Sequence, residues 1–196
     1  MITILTLFPL LGGLAVLALS RARAAARALA LVVAAVALIM AVLIWRVFDP
    51  AVIGMQLQQN HEWAPSLGIA YHVGVDGLGV LMLTLAAMVT LMSLVAAWFN
   101  AKLTPVYCAL VLFLEAGLFG TFTALNFVHW FIYWELSLIP AFFLVRIYGG
   151  PGRARAATQF FLYTMVGSIA LLLAFLALFL ATGRFGLIDL ARLAQA

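Results

Sequence analysis

The chain has 196 residues, of which 68% are hydrophobic and only 8% charged, where a soluble domain carries roughly 25% charged residues. That composition excludes a water-soluble fold of this size, and the net charge of +4, carried by few residues that sit mostly at the ends of apolar runs, excludes a nucleic-acid-binding surface. The runs are about twice as long as a barrel strand and lack its strict alternation, which excludes an outer-membrane barrel.

What remains is an all-α, polytopic transmembrane bundle in which the whole chain, 1–196, forms one membrane domain. Six spanning helices are predicted at 2–19, 28–47, 78–98, 105–125, 127–148 and 156–182, each near the ~20 residues that cross the hydrocarbon of a bilayer. The first run has an apolar core but no basic residue ahead of it, so it reads as a helix rather than a cleavable signal peptide. The connection at 49–77 is the only long one. Pro65, Gly68, Gly74 and Gly77 punctuate it, which predicts turns or a short hairpin. Its Gly74-Val75-Asp76-Gly77-Leu78-Gly79 run does not join a strand to a soluble helix, so Asp76 is expected to cap the third helix rather than to help bind a nucleotide. His61 and His72 fit no metal-ligand spacing and read as solvated loop histidines.

Charge alternates between connections. The first holds Arg21, Arg23 and Arg27, the third Lys102, and the fifth Arg153 and Arg155, with Arg146 close by. The second holds Asp49, Glu62 and Asp76, and Asp189 follows the sixth helix. Cytoplasmic connections collect Lys and Arg, so the N-terminus is expected outside, on the periplasmic side of a bacterial inner membrane. Arg46, Arg184 and Arg192 are the minority on that side. Cys108, the single cysteine, can form no intrachain disulfide and cannot hold an iron–sulfur cluster alone.

Two acids stand out because they fall in mid-helix. A charge at the bilayer centre costs about 2.5–3.5 kcal/mol on insertion scales, so such residues face the protein interior and mark proton or ion paths. Glu115 lies eleven residues before Asn126 and Glu135 nine after it. At 1.5 Å per residue they sit about 16 and 14 Å from the same membrane face. Sequence does not fix their rotation about the helix axes. Whether such a carboxyl exchanges protons near neutral pH depends on its burial, on a second carboxylate and on any buried cation. The competing reading is a neutral structural Glu hydrogen-bonded to another helix. We prefer the proton path for both.

Pro140 removes a backbone donor and leaves the Leu136 carbonyl without its usual partner, a site where water or a side chain can enter the helix. His129, near the outer end of the same helix, is a candidate proton relay. Trp130, Tyr133 and Trp134 read as packing and interface residues, and Arg146 as an interfacial anchor. All ten Lys and Arg residues lie at helix ends or in connections, so a buried cation to pair with the glutamates must come from another chain or from sequence beyond Ala196. There is no cofactor motif, metal-ligand set or haem histidine pair, and no redox chemistry is expected in this chain alone.

The run Phe131-Ile132-Tyr133-Trp134-Glu135-Leu136-Ser137-Leu138-Ile139-Pro140, with Tyr148-Gly149-Gly150, resembles subunit M (chain 4) of proton-pumping NADH:quinone oxidoreductase, respiratory complex I, an antiporter-like membrane subunit. Further matches follow in order: His61-Glu62-Trp63-Ala64-Pro65-Ser66-Leu67-Gly68-Ile69, then Tyr71-His72-Val73-Gly74-Val75-Asp76-Gly77, Leu114-Glu115-Ala116-Gly117, and Ala156-Ala157-Thr158-Gln159-Phe160-Phe161-Leu162-Tyr163-Thr164 with Gly167-Ser168. The resemblance implies that Glu135 matches the family's essential fifth-helix glutamate, whose partner is a lysine on a seventh helix. It implies a complete subunit of about fourteen helices built from inverted repeats. It also implies other membrane-arm subunits as partners, with NADH, FMN, iron–sulfur clusters and quinone bound in partner subunits. The chain departs from the pattern in holding only six helices, as a truncated or split subunit would, and in carrying Gln159 where the family often has lysine. The rival expectations are a subunit of a membrane-bound hydrogenase or of a multisubunit sodium/proton antiporter, and a six-helix scaffold that conducts nothing.

Overall fold

The computed structural model describes residues 1–64, 69–100 and 104–193. Pro65 and Gly68, expected to punctuate the long connection, and Lys102, expected at the cytoplasmic face, lie outside the described residues. The described chain forms six long helices, α1 (Ile2–Ala18), α2 (Arg23–Val47), α3 (Gly77–Trp98), α4 (Pro105–Thr123), α5 (Phe127–Tyr148) and α6 (Arg153–Thr182), and a short α7 (Leu187–Leu193). A two-stranded antiparallel hairpin, β1 (Gln56–Ala64) and β2 (Ile69–Val75), stands between α2 and α3.

Five of these helices are long and apolar enough to cross a membrane. The sixth, α1, has 17 residues, about 25 Å of helix. It nevertheless packs lengthwise on α4 and α2, so a six-helix bundle stands. Two predicted starts are corrected. α2 begins at Arg23 rather than at 28, because Ala24, Ala25 and Ala26 are strong helix formers that carry the helix beyond the hydrocarbon. α6 begins at Arg153 rather than at 156, directly after Gly152, whose φ of 79° a glycine adopts without strain. The predicted N-cap is present: the Asp76 carboxylate accepts from the Gly79 N–H at 2.6 Å.

The most buried helix is α4. It is wrapped by α1, α2, α3 and α5. Two apolar clusters lie along it. One joins Ile2, Leu5, Ile44, Val75, Leu83 and Phe119 near the hairpin. The other joins Val16, Ala30, Ala34, Leu94, Cys108 and Leu112 toward the opposite face. A stripe of alanines on α2, from Ala26 to Ala41, lets the backbones approach closely. By contrast α6 buries only Ala157 and Ser168.

The hairpin is clamped to the bundle. Leu125 N–H donates to the His72 carbonyl at 2.8 Å, and on the other side of the α4–α5 turn Phe127 N–H donates to Phe185 O and Leu187 N–H to Leu125 O. The long connection, the α4–α5 turn and the segment after α6 therefore share one face, as six alternating crossings require.

The α4–α5 contact has no room to spare. A Cβ added at Gly117 would come within 2.8–2.9 Å of Ser137, and one at Gly120 would overlap the Tyr133 ring. Gly120→Ala is therefore expected to destabilise the bundle by about 1–3 kcal/mol. It should show as a lower thermal unfolding temperature of the detergent-solubilised protein. Gly167→Ala, where a Cβ meets nothing within 4 Å, is the neutral control.

Candidate functional site: two carboxyls and an outer cavity

Glu115 is eight residues from the end of α4 at Thr123, and Glu135 eight residues from the start of α5 at Phe127. Both therefore lie about 12 Å inside the hairpin face, at the same depth, where the sequence places them at about 16 and 14 Å from the Asn126 turn. Their rotation, which sequence left open, follows from the glycine contacts. α4 meets α5 through Gly117 and Gly120, and α5 answers with Ser137 and Tyr133. At 100° per residue, Glu115 lies on the far side of α4 from those glycines, and Glu135 on the far side of α5 from Ser137 and Tyr133. The carboxyls stand back to back across the α4–α5 contact and do not face each other.

Glu115 shares its face with Leu112 and Phe119 and is 0% exposed. Neither of its carboxylate oxygens has a hydrogen-bond partner among the described residues. Glu135 is half-buried, with Oε1 enclosed and unpartnered. It points away from α4, at the edge of the face that carries α6, which packs on α5 through Trp130–Phe175 and Phe142–Phe161 ring contacts. Among the described residues no lysine or arginine pairs with either glutamate, and the ion pair present, Arg184–Asp189 at 3.9 Å, is superficial. α5 runs unbroken through Pro140. Arg146, the expected interfacial anchor, is exposed with its guanidinium over the Phe142 ring.

His129 is more deeply placed than its position near a helix end suggests. It is 4% exposed, its ring lies 4.6 Å from that of Tyr71 and 4.8 Å from that of Tyr133, and the backbone of His72 is beside it. Tyr71 donates to Thr3 Oγ1 at 2.9 Å, and Thr3 donates in turn to Gln59 Oε1. Burial holds the Tyr71 phenol above its usual range, offset in part by the bond to Thr3. Burial also holds His72 below the usual imidazole range, against the pull of Asp189. Around His129 opens a cavity of about 450 Å³ lined by hairpin and α5 residues. Sequence pointed to His129 but not to Tyr71, Thr3 or Gln59. The helical spacing of 129, 133 and 136 marks a shared face of α5, but no local signal ties the hairpin to it.

Residues 124–196 match the family described as NADH:quinone oxidoreductase/Mrp antiporter, transmembrane region. Over 133 residues the chain is 38% identical to F(420)H(2) dehydrogenase subunit M of Methanosarcina mazei, an alignment that covers 67% of this chain and 27% of that protein. It is 34% identical to NADH-quinone oxidoreductase subunit M of Rhodobacter capsulatus, over 79% of this chain and 30% of that one. Over residues 124–196 the chain belongs to the NADH:quinone oxidoreductase/Mrp antiporter family, and its named relatives are M or chain 4 subunits. A solved structure, respiratory complex I from Thermus thermophilus with bound NADH, contains a chain that superposes with a TM-score of 0.83 at 28% identity, covering 97% of this chain and 38% of that one. This antiporter-like chain thus spans between a quarter and two fifths of the length of these relatives. It is a multi-pass membrane protein, and its named relatives are subunits of an oxidoreductase complex.

Proposed function

We propose that this chain is a single membrane domain that forms part of a proton-translocating unit in the membrane arm of a complex I-type enzyme, coupling quinone reduction elsewhere in the complex to proton transport. Glu135 binds and releases a proton at mid-membrane, Glu115 assists it from the interior of the α1–α4 bundle, and His129 relays protons toward the hairpin face. The observation that carries this reading is the pair of carboxyls held at one depth inside an apolar bundle. Glu115 is wholly enclosed without a hydrogen-bond partner among the described residues, and Glu135 is half-buried with Oε1 enclosed. A structural acid would be tied to neighbouring donors; among the described residues the enclosed oxygens of these two are not.

The cation that balances Glu135 comes from sequence or subunits outside the described residues. NADH, FMN, iron–sulfur clusters and quinone bind in partner subunits. The membrane is the bacterial inner membrane, with the N-terminus and the hairpin in the periplasm, because the basic connections lie at the other ends of the helices.

The deciding experiment is proton pumping by membrane vesicles that carry the assembled complex with Glu135→Gln. Loss of pumping with assembly intact supports the reading. Unchanged pumping turns Glu135 into a structural acid and favours a scaffold. A second reading, cation/proton exchange without a redox driver, is favoured by the Mrp antiporters that share the matched family. It predicts sodium-dependent proton exchange in vesicles given neither NADH nor quinone.

A further inference from the structure

On α6, a helix open along most of its length, Ser168 is 4% exposed. Among the described residues it holds the one enclosed hydroxyl without a hydrogen-bond partner. The hydroxyls of Thr158, Thr164 and Thr182 on the same helix turn back onto the carbonyl four residues earlier, a common way for a helical hydroxyl to be satisfied. A residue needed only for its small size would be an alanine, which brings no polar atom to satisfy.

The seam between α5 and α6 places that hydroxyl. The helices run antiparallel, and Phe142 of α5 meets Phe161 of α6 with ring centres 5.4 Å apart. Seven residues make two helical turns to within about 20°. Seven residues back from Phe142 along α5 is Glu135, and seven forward from Phe161 along α6 is Ser168. Both steps run about 10.5 Å toward the hairpin face. Glu135 and Ser168 are therefore the next pair in the same seam. Phe175, seven residues further along α6, continues it against Phe127 and Trp130. The pair brings two enclosed and unpartnered oxygens, Glu135 Oε1 and Ser168 Oγ, to one level of the bundle.

We infer that Ser168 is a positioning residue for Glu135: by turning about its χ1 bond it hydrogen-bonds the Glu135 carboxyl and holds it on the α6 side of α5. The inference rests on Glu135 being the proton carrier. A hydroxyl both donates and accepts, so it serves the carboxyl in either state. It donates to the carboxylate, and it accepts from the acid once a proton has arrived. Ser168 keeps its own proton throughout. Three staggered wells are open to a serine side chain, so the turn is local and leaves the helices in place. Glu135 is the titratable group that α5 presents to this seam, since Tyr133 faces Gly120 of α4. Between Arg155 and Arg184 the only titratable residue is Tyr163, which is exposed and lies about 140° around α6 from Ser168. Trp134, stacked on Trp130, is the other polar side chain of α5 at this level, and an indole can only donate.

The test is a double-variant cycle on the assembled complex in native membranes. Ser168→Ala is compared with wild type, and the double variant Ser168→Ala with Glu135→Asp is compared with Glu135→Asp, whose shorter side chain draws the carboxyl away from α6. Proton pumping, electron transfer and subunit content are recorded on the same membranes. Ser168→Ala is expected to lower pumping several-fold where residue 135 is the native glutamate and to make little further difference in the Glu135→Asp background. The unfolding temperature of the solubilised protein should stay the same or rise, because the substitution removes an unsatisfied hydroxyl. An equal factor in both backgrounds, which a packing role or a bond to Trp134 predicts, overturns the inference. Wild-type pumping in Ser168→Ala overturns it too. Glu135→Gln tests the carrier separately: wild-type pumping and electron transfer there remove the carrier, whereas loss of pumping there beside an unaffected Ser168→Ala removes Ser168 alone.

Discussion

Glu135→Gln is expected to cut proton pumping by about tenfold or more, with the complex assembled and present at wild-type levels. Gln has the size and shape of Glu and hydrogen-bonds as well, but it cannot take up and give back a proton. The position is half-buried, so a neutral amide there meets no steric penalty and disturbs no hydrogen bond among the described residues. What the substitution removes is the titratable group alone. Coupled quinone reduction should fall with pumping, because a blocked proton step holds back the redox step that drives it. Glu135→Asp should recover part of the activity: it titrates, but its carboxyl is one methylene shorter and sits deeper against α5. The measurement is acidification of inverted vesicles with electron-transfer rate and subunit content recorded on the same membranes. Pumping and electron transfer that both stay at wild-type rates in Glu135→Gln membranes remove Glu135 from the proton path.

Much of this arrangement was legible in the sequence, for identifiable reasons. Apolar runs of about twenty residues mean spanning helices because lipid leaves no other solution for the backbone. The equal depth of Glu115 and Glu135 follows from a fixed rise per residue and the tight turn at Asn126. Helix starts at Arg23 and Arg153 were missed because hydropathy tracks the hydrocarbon, whereas a helix continues wherever its residues favour it. α7 was missed because a seven-residue segment with Asp189 and Arg192 carries no spanning signal. The back-to-back placement of the carboxyls was hidden for a different reason. It is set by the close approach of Gly117 and Gly120 to Ser137 and Tyr133, and small residues on a uniformly apolar helix do not announce which partner they meet. The His129 cavity was hidden in the same way. Its walls come from elements far apart in the chain, from Leu10 on α1 and His61 on β1 to Leu136 on α5.

Glu115 gives the second large effect, and its sign differs between stability and function. The carboxyl is sealed among Leu112, Phe119 and the α1–α3 core, with both oxygens unpartnered among the described residues. An unsatisfied buried polar group costs about 1–3 kcal/mol, and replacing such a group by an apolar side chain of similar volume is often neutral or stabilising. Glu115→Met should therefore leave the thermal stability of the solubilised protein unchanged or raise it by up to about 2 kcal/mol. Pumping should nevertheless drop several-fold, because the interior carboxyl can no longer share the proton load. Glu115→Gln separates the two roles further: it keeps the buried polar group, gains nothing in stability, and should pump no better than Glu115→Met. A structural acid predicts the reverse pattern, with Met destabilised and Gln fully active. Because Glu115 and Glu135 point to opposite sides of the α4–α5 contact, coupling between them passes through water or through groups outside these two helices. The double variant should then lose no more pumping than Glu135→Gln alone, since Glu135 is the step through which the proton must go.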